Sequence, residues 1–145
     1  MCWFAEKIDM QITYRQMLRI AALCGALAVI TGAFGAHTLK GIFEARQLDS
    51  AHLLAIYEKG VQYQFYHTLA LALVAVLMQA SPGNRRLPRA GMFFLFGIIC
   101  FSGSLYLLAC RDLIPFSVAW VGPVTPLGGL SFIAGWVFLL LSARD

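Results

Sequence analysis

Charged residues divide the chain into four long apolar stretches. Between Arg19 and Lys40 lie 20 uncharged residues, and between Lys59 and Arg85 there are 25. Arg89 and Arg111 bracket 21, and Asp112 and Arg144 bracket 31. A membrane span needs about 20 apolar residues, because about 30 Å of hydrocarbon is crossed at about 1.5 Å per residue. Lipid offers backbone groups no hydrogen bonds, so a span is either a helix or part of a closed barrel. The stretches lack the apolar/polar alternation of barrel strands. The pattern therefore predicts an all-α membrane protein with four transmembrane helices, near Leu18–Ala36, Val61–Ala80, Ala90–Cys110 and Val121–Leu141. They form one transmembrane domain over residues 17–142, after an N-terminal arm of residues 1–16.

Local signals refine the ends. Ser81-Pro82-Gly83-Asn84 is a turn cluster that closes the second span. Pro115, Gly122-Pro123 and Pro126 crowd the start of the last stretch, so its regular helix should begin near Thr125 or Pro126. In the first loop, Leu39, Ile42 and Phe43 make one helical stripe, and Leu53, Ile56, Tyr57 and Val61 make another. Asp49 is placed to cap the second. These read as two short amphipathic segments against the outer membrane surface, the second running on into span two. Lys7, Arg15 and Arg19 before an apolar run that ends Ala33-Phe34-Gly35-Ala36 loosely match a secretory signal. The run exceeds the usual 7–15 residues, and Ala28, Gly32 and Ala36 repeat every four as in helix contacts. A retained helix is the expectation.

Composition removes other classes. The 145 residues are 60% hydrophobic and 12% charged, against about 25% charged in soluble domains. The net charge of +4 does not indicate a nucleic-acid binder, because the basic residues sit at span ends rather than on one polar face. Lys7, Arg15, Arg19, Arg85, Arg86, Arg89 and Arg144 fall on one side; Lys40, Arg46, Lys59 and Arg111 fall on the other. By the positive-inside rule both termini and the Arg85–Arg89 loop are cytoplasmic. Cys2, Cys24, Cys100 and Cys110 have neither disulfide nor metal spacing.

Polar side chains inside spans are costly, so their positions carry the functional information. His37 ends the first span; Tyr63 and His67 lie four apart in the second; Ser102 and Tyr106 lie four apart in the third; Thr125 opens the fourth. In the expected topology all six lie toward the outer leaflet, and the inner halves are almost wholly Leu, Val, Ala, Ile and Phe. These residues either tie the bundle together or form an outward-facing pathway for a small solute, ion or proton. No phosphate loop, GxSxG, HExxH or paired carboxylate occurs in the spans, so no catalytic, metal or cofactor residue is assigned. The expected partners are the lipid bilayer and either a second copy or a larger membrane complex.

The string Gly32-Ala33-Phe34-Gly35-Ala36-His37 resembles the YgdD-like small membrane proteins, the domain of unknown function 423. So do Tyr63-Gln64-Phe65-Tyr66-His67-Thr68-Leu69-Ala70-Leu71, Phe101-Ser102-Gly103-Ser104-Leu105-Tyr106, and Thr125-Pro126-Leu127-Gly128-Gly129 followed by Gly135-Trp136. The likeness covers about residues 17–142, leaving the arm before Met17 as an extension; Met10 and Met17 are alternative starts. It implies a four-helix inner-membrane protein and no particular activity. His37, Tyr63, His67, Ser102, Tyr106 and Thr125 are carried as family-motif positions without a catalytic role.

Overall fold

The computed structural model describes residues 12–143. Cys2, Lys7, Met10, Arg144 and most of the N-terminal arm lie outside the described residues. Four helices are long and apolar enough to cross a membrane: α1 (Tyr14–Ala45), α2 (Ser50–Ala80), α3 (Arg86–Ala109) and α4 (Val124–Ser142). Among the described residues there is no strand. The all-α expectation holds.

Helix α1 starts with a capping box. The Thr13 hydroxyl accepts from the Gln16 amide, while the Gln16 side chain takes the Thr13 N–H at 2.8 Å. The helix expected to close at Ala36 does not stop there. It passes through a π-helical turn at Gly35–Leu39 and continues to Ala45. At about 1.5 Å per residue its 32 residues outrun the roughly 30 Å hydrocarbon layer. The excess pairs with the start of α2, for which Asp49 is the N-cap as the sequence predicts, accepting from the His52 amide at 3.1 Å.

Leu39, Phe43, Leu53, Tyr57 and Ala109 thus bury one another in a second small core at the loop end of the bundle. The two amphipathic stripes meet each other and the end of α3 instead of lying flat on lipid. Burial against protein on that face outcompetes an interfacial position because it removes both apolar stripes at once.

The turn between them is a Schellman motif. Leu48 N–H bonds to Phe43 O and Gln47 N–H to Glu44 O, both at 3.0 Å, with Gln47 at φ 56°.

The central helices are α2 and α3. Helix α1 packs on α2, and α4 packs on α3, which leaves α1 and α4 the more exposed to lipid. The main core contains Met17, Ala21, Leu71, Val74, Ala75, Met78, Leu87, Ala90 and Phe94. Glycines set the close approaches. Met17 lies over Gly91, Phe132 over Gly97 and Phe94 over Gly135, and at Gly128 the backbone of Phe101 itself occupies the space a Cβ would need.

The third span also departs from a plain α-helix, with a π-helical turn at Ile98–Ser102 facing that contact. It begins at Arg86, four residues before the expected start, and α4 begins at Val124, beside the expected Thr125.

At the opposite end from the hairpin, Asn84 Nδ2 and Arg86 Nη1 donate to the Ser142 and Leu141 carbonyls, each at 2.9 Å. The loop after α2 thereby caps the C-terminus of α4, whose last carbonyls have no partner within the helix.

Candidate functional site

Helix α2 carries three of the buried polar side chains, Gln64, His67 and Thr68, while Ser102 and Ser104 lie on α3 and Ser131 on α4. Tyr57, Gly60, Gln64, His67, Leu71 and Val74 recur at three- and four-residue spacing and are buried on one side of α2. The burial of this stripe turns Gln64 toward α1 and α3, and His67 toward α3 and α4.

The first group joins α1, α2 and α3. Gln64 Nε2 donates to the Cys24 carbonyl at 2.9 Å, and Gln64 Oε1 accepts the Tyr106 hydroxyl at 2.7 Å. Tyr106 gives its proton to Gln64 and the Thr31 hydroxyl gives its own to the Leu27 carbonyl at 2.9 Å, so the 3.3 Å approach of the two oxygens is a close contact with neither proton directed along it. Tyr57 completes the set. Its hydroxyl donates to the Thr31 carbonyl at 3.1 Å, and its ring lies 4.8 Å from that of Tyr106. Gly60 and Gly35 admit these two rings, for a Cβ at either would sit about 2.9 Å or less from ring carbons.

The second group joins α2, α3 and α4 around His67. The Nδ1 atom is 2.8 Å from the Tyr63 carbonyl, which can only accept, so Nδ1 carries the proton. That leaves Nε2 as the acceptor for the Trp136 indole N–H at 3.4 Å. A second ring proton would confront the indole donor, so this geometry belongs to the neutral imidazole. The imidazole stacks on Phe132 at 3.4 Å between centroids and 9° between planes. Phe94 and Tyr63 close the cluster, Tyr63 itself stacking on Phe101 at 4.6 Å.

Two smaller links tie α3 to α4. Ser104 donates to the Phe101 carbonyl at 2.9 Å and therefore accepts from Thr125 at 2.6 Å. Ser131 donates to the Phe93 carbonyl at 2.7 Å.

Of the six residues singled out by sequence, Tyr63 and His67 are in contact with each other. Tyr106 belongs to the neighbouring Gln64 group, and Thr125 is bonded to Ser104. Ser102 is fully buried, and its hydroxyl has no hydrogen-bond partner; the Thr68 hydroxyl is in the same condition. His37 is exposed within the first π-helical turn, and the hydrogen bonds and ring contacts of the two groups do not include it.

The residues missed were Thr31, Tyr57, Gln64, Ser104 and Trp136. Gln64 was the legible one, because it falls on the Tyr57–Gly60–His67–Leu71 stripe. Trp136 gave no such signal: it is half exposed, and only the tertiary packing aims its N–H at His67.

Among the described residues no three His, Cys, Asp or Glu side chains gather as a metal would need. The three described cysteines are free thiols.

The family described as "Protein of unknown function (DUF423)" matches residues 31–129, which include Tyr57, Gln64, His67, Ser104, Tyr106 and Thr125 but not Cys24, Ser131 or Trp136. The chain belongs to the DUF423 family. Relatives extend the match well beyond that segment. The UPF0382 membrane protein SH2409 of Staphylococcus haemolyticus is 40% identical over 123 residues, covering 85% of this chain and 90% of the relative. YwdK of Bacillus subtilis, also a UPF0382 membrane protein, is 37% identical over 124 residues, covering 86% and 92%. The UPF0382 inner membrane protein YgdD of Escherichia coli is 38% identical over 136 residues, covering 91% and 92%. No solved structure matches this chain. The resemblance read from the motifs is thereby confirmed, and this DUF423 chain is an integral membrane protein of four helices.

Proposed function

We propose that this chain is a non-enzymatic component of a membrane assembly, working through packing with a second copy or a larger complex. Its polar interior then acts as the adhesive of its own bundle. The observation that carries this reading is the double use of Gln64, whose amide nitrogen and oxygen both have protein partners on different helices. His67 likewise has both ring nitrogens engaged. A group that must meet a substrate needs a free valence facing an opening, and these have neither. What remains to meet other molecules is the exposed apolar surface of α1 and α4, including Leu23, Ile30, Leu130 and Leu140. The reading also takes the termini and the Arg85–Arg89 loop as cytoplasmic, from the excess of Lys and Arg at that end.

A second reading is a pathway for a small solute, ion or proton. It is favoured by the Thr68 and Ser102 hydroxyls, which are buried without partners. Against it stands the apolar plug of Met17, Leu71, Val74, Met78 and Leu87.

The experiment is paired. Chain extracted gently from native membranes should travel above its monomer mass. Proteoliposomes should be no leakier to protons or small solutes than protein-free vesicles. A lone monomer with flux that His67→Ala abolishes would establish the pathway instead.

A further inference from the structure

One cleft is separate from the polar groups of the interior. It opens at the end of the bundle where α1 begins, α2 ends and α3 begins, and its volume is about 410 Å³. Arg15 and Arg85 line it with Tyr14 and Asn84, and Ile12 and Met78 supply apolar wall. No acidic residue is among its described lining residues. Arg15 is held by its neighbour: Nε donates to the Tyr14 hydroxyl at 3.0 Å, and the guanidinium carbon lies 5.7 Å from that ring's centre. The terminal nitrogens of the guanidinium take no part in that bond, and their fork matches a phosphate.

Three features choose the occupant. The cleft has two cations and no described counter-charge, so it suits an anion. Its wall is part apolar, so it suits an anion attached to hydrocarbon. It sits where three spans end, which is the level of lipid headgroups rather than of bulk water. We propose that this cleft binds the headgroup of an anionic phospholipid, with Arg15 and Arg85 on the phosphate and Ile12 and Met78 against the start of an acyl chain. The site is independent of the role of the polar interior.

The test uses the full chain purified from membranes holding phosphatidylglycerol and phosphatidylethanolamine in equal amounts. Native mass spectrometry should find phosphatidylglycerol retained preferentially, by about fivefold for each arginine engaged. Arg15→Gln with Arg85→Gln should remove that preference, whereas Arg111→Gln, at the opposite end, should keep it. An unchanged preference in the double variant overturns the proposal. So does release of the bound lipid by inorganic phosphate, which would make the site one for the free ion. The wild-type chain supplies a second measurement that does not depend on the variants folding. Phosphatidylglycerol with a photoreactive headgroup should crosslink to peptides containing Arg15 or Arg85, and crosslinks confined to other faces count against the site.

Discussion

The Tyr106 hydroxyl on α3 donates to the Gln64 amide oxygen on α2 across 2.7 Å, and through Gln64 the bond reaches the Cys24 carbonyl on α1. One side chain therefore couples three helices. Removing either end strands a polar atom in a medium without water to replace the partner.

Tyr106→Phe should lower bundle stability by about 0.6–2 kcal/mol, the range of hydrogen bonds between membrane helices. Reversible unfolding in bicelles measures it. Gln64→Leu combined with Tyr106→Phe should cost less than the sum of the two singles, since each single leaves the other partner unsatisfied. Strict additivity would mean that the contact contributes nothing.

His67 separates stacking from hydrogen bonding. His67→Phe keeps a ring against Phe132 but removes the acceptor for Trp136, and should cost about 1 kcal/mol. His67→Ala also empties the space between Phe94 and Phe132, and should cost about 3 kcal/mol. The same unfolding assay distinguishes them; equal losses would show that the ring is not packed as described.

Glycines on the same helices should respond in opposite ways. At Gly128 a Cβ meets the Phe101 backbone, which cannot rotate aside, whereas at Gly103 there is nothing within 4 Å. Gly128→Ala should destabilise by about 1–3 kcal/mol through forced separation of α3 and α4. Gly103→Ala should be neutral or add up to about 1 kcal/mol, because alanine is the better helix former. A tolerant Gly128 would disprove the close approach.

The hairpin between α1 and α2 contains a correctable cost. Gln47 holds φ 56°, a conformation that disfavours side chains other than glycine's by roughly 1 kcal/mol. Gln47→Gly should therefore raise the midpoint of thermal unfolding. No rise would indicate that the Schellman turn does not form in solution.

Gly83 and Gly41 mark the two ends of the bundle, and a side chain added at either would meet nothing within 4 Å of its Cβ. In a background without native cysteines, Gly83→Cys should be labelled by an impermeant thiol reagent only after the cells are opened. Gly41→Cys should be labelled from outside intact cells. The reverse result would invert the proposed orientation.

Four spans were legible because they depend on local composition. A charge-free stretch of that length without the alternation of a barrel strand is a helix in lipid, whatever its neighbours are. The Asp49 cap and the Ser81–Asn84 turn were legible for the same reason, being decided within a few residues. Helix partners were not. Tyr63 and His67 share a face by spacing, yet that Gln64 would reach Cys24 and Tyr106, or that His67 would meet Trp136, depends on how α2 is rotated between α1, α3 and α4. Nor could a count of apolar residues reveal that α1 continues past Ala36, because that extension is held by Phe43, Leu53 and Tyr57 packing across the turn. Sequence alone decided that this protein lies in a membrane as four helices. Only the tertiary structure decided which polar groups meet, since a hydrogen bond between helices needs two side chains at one depth facing one another, and depth without rotation leaves that open.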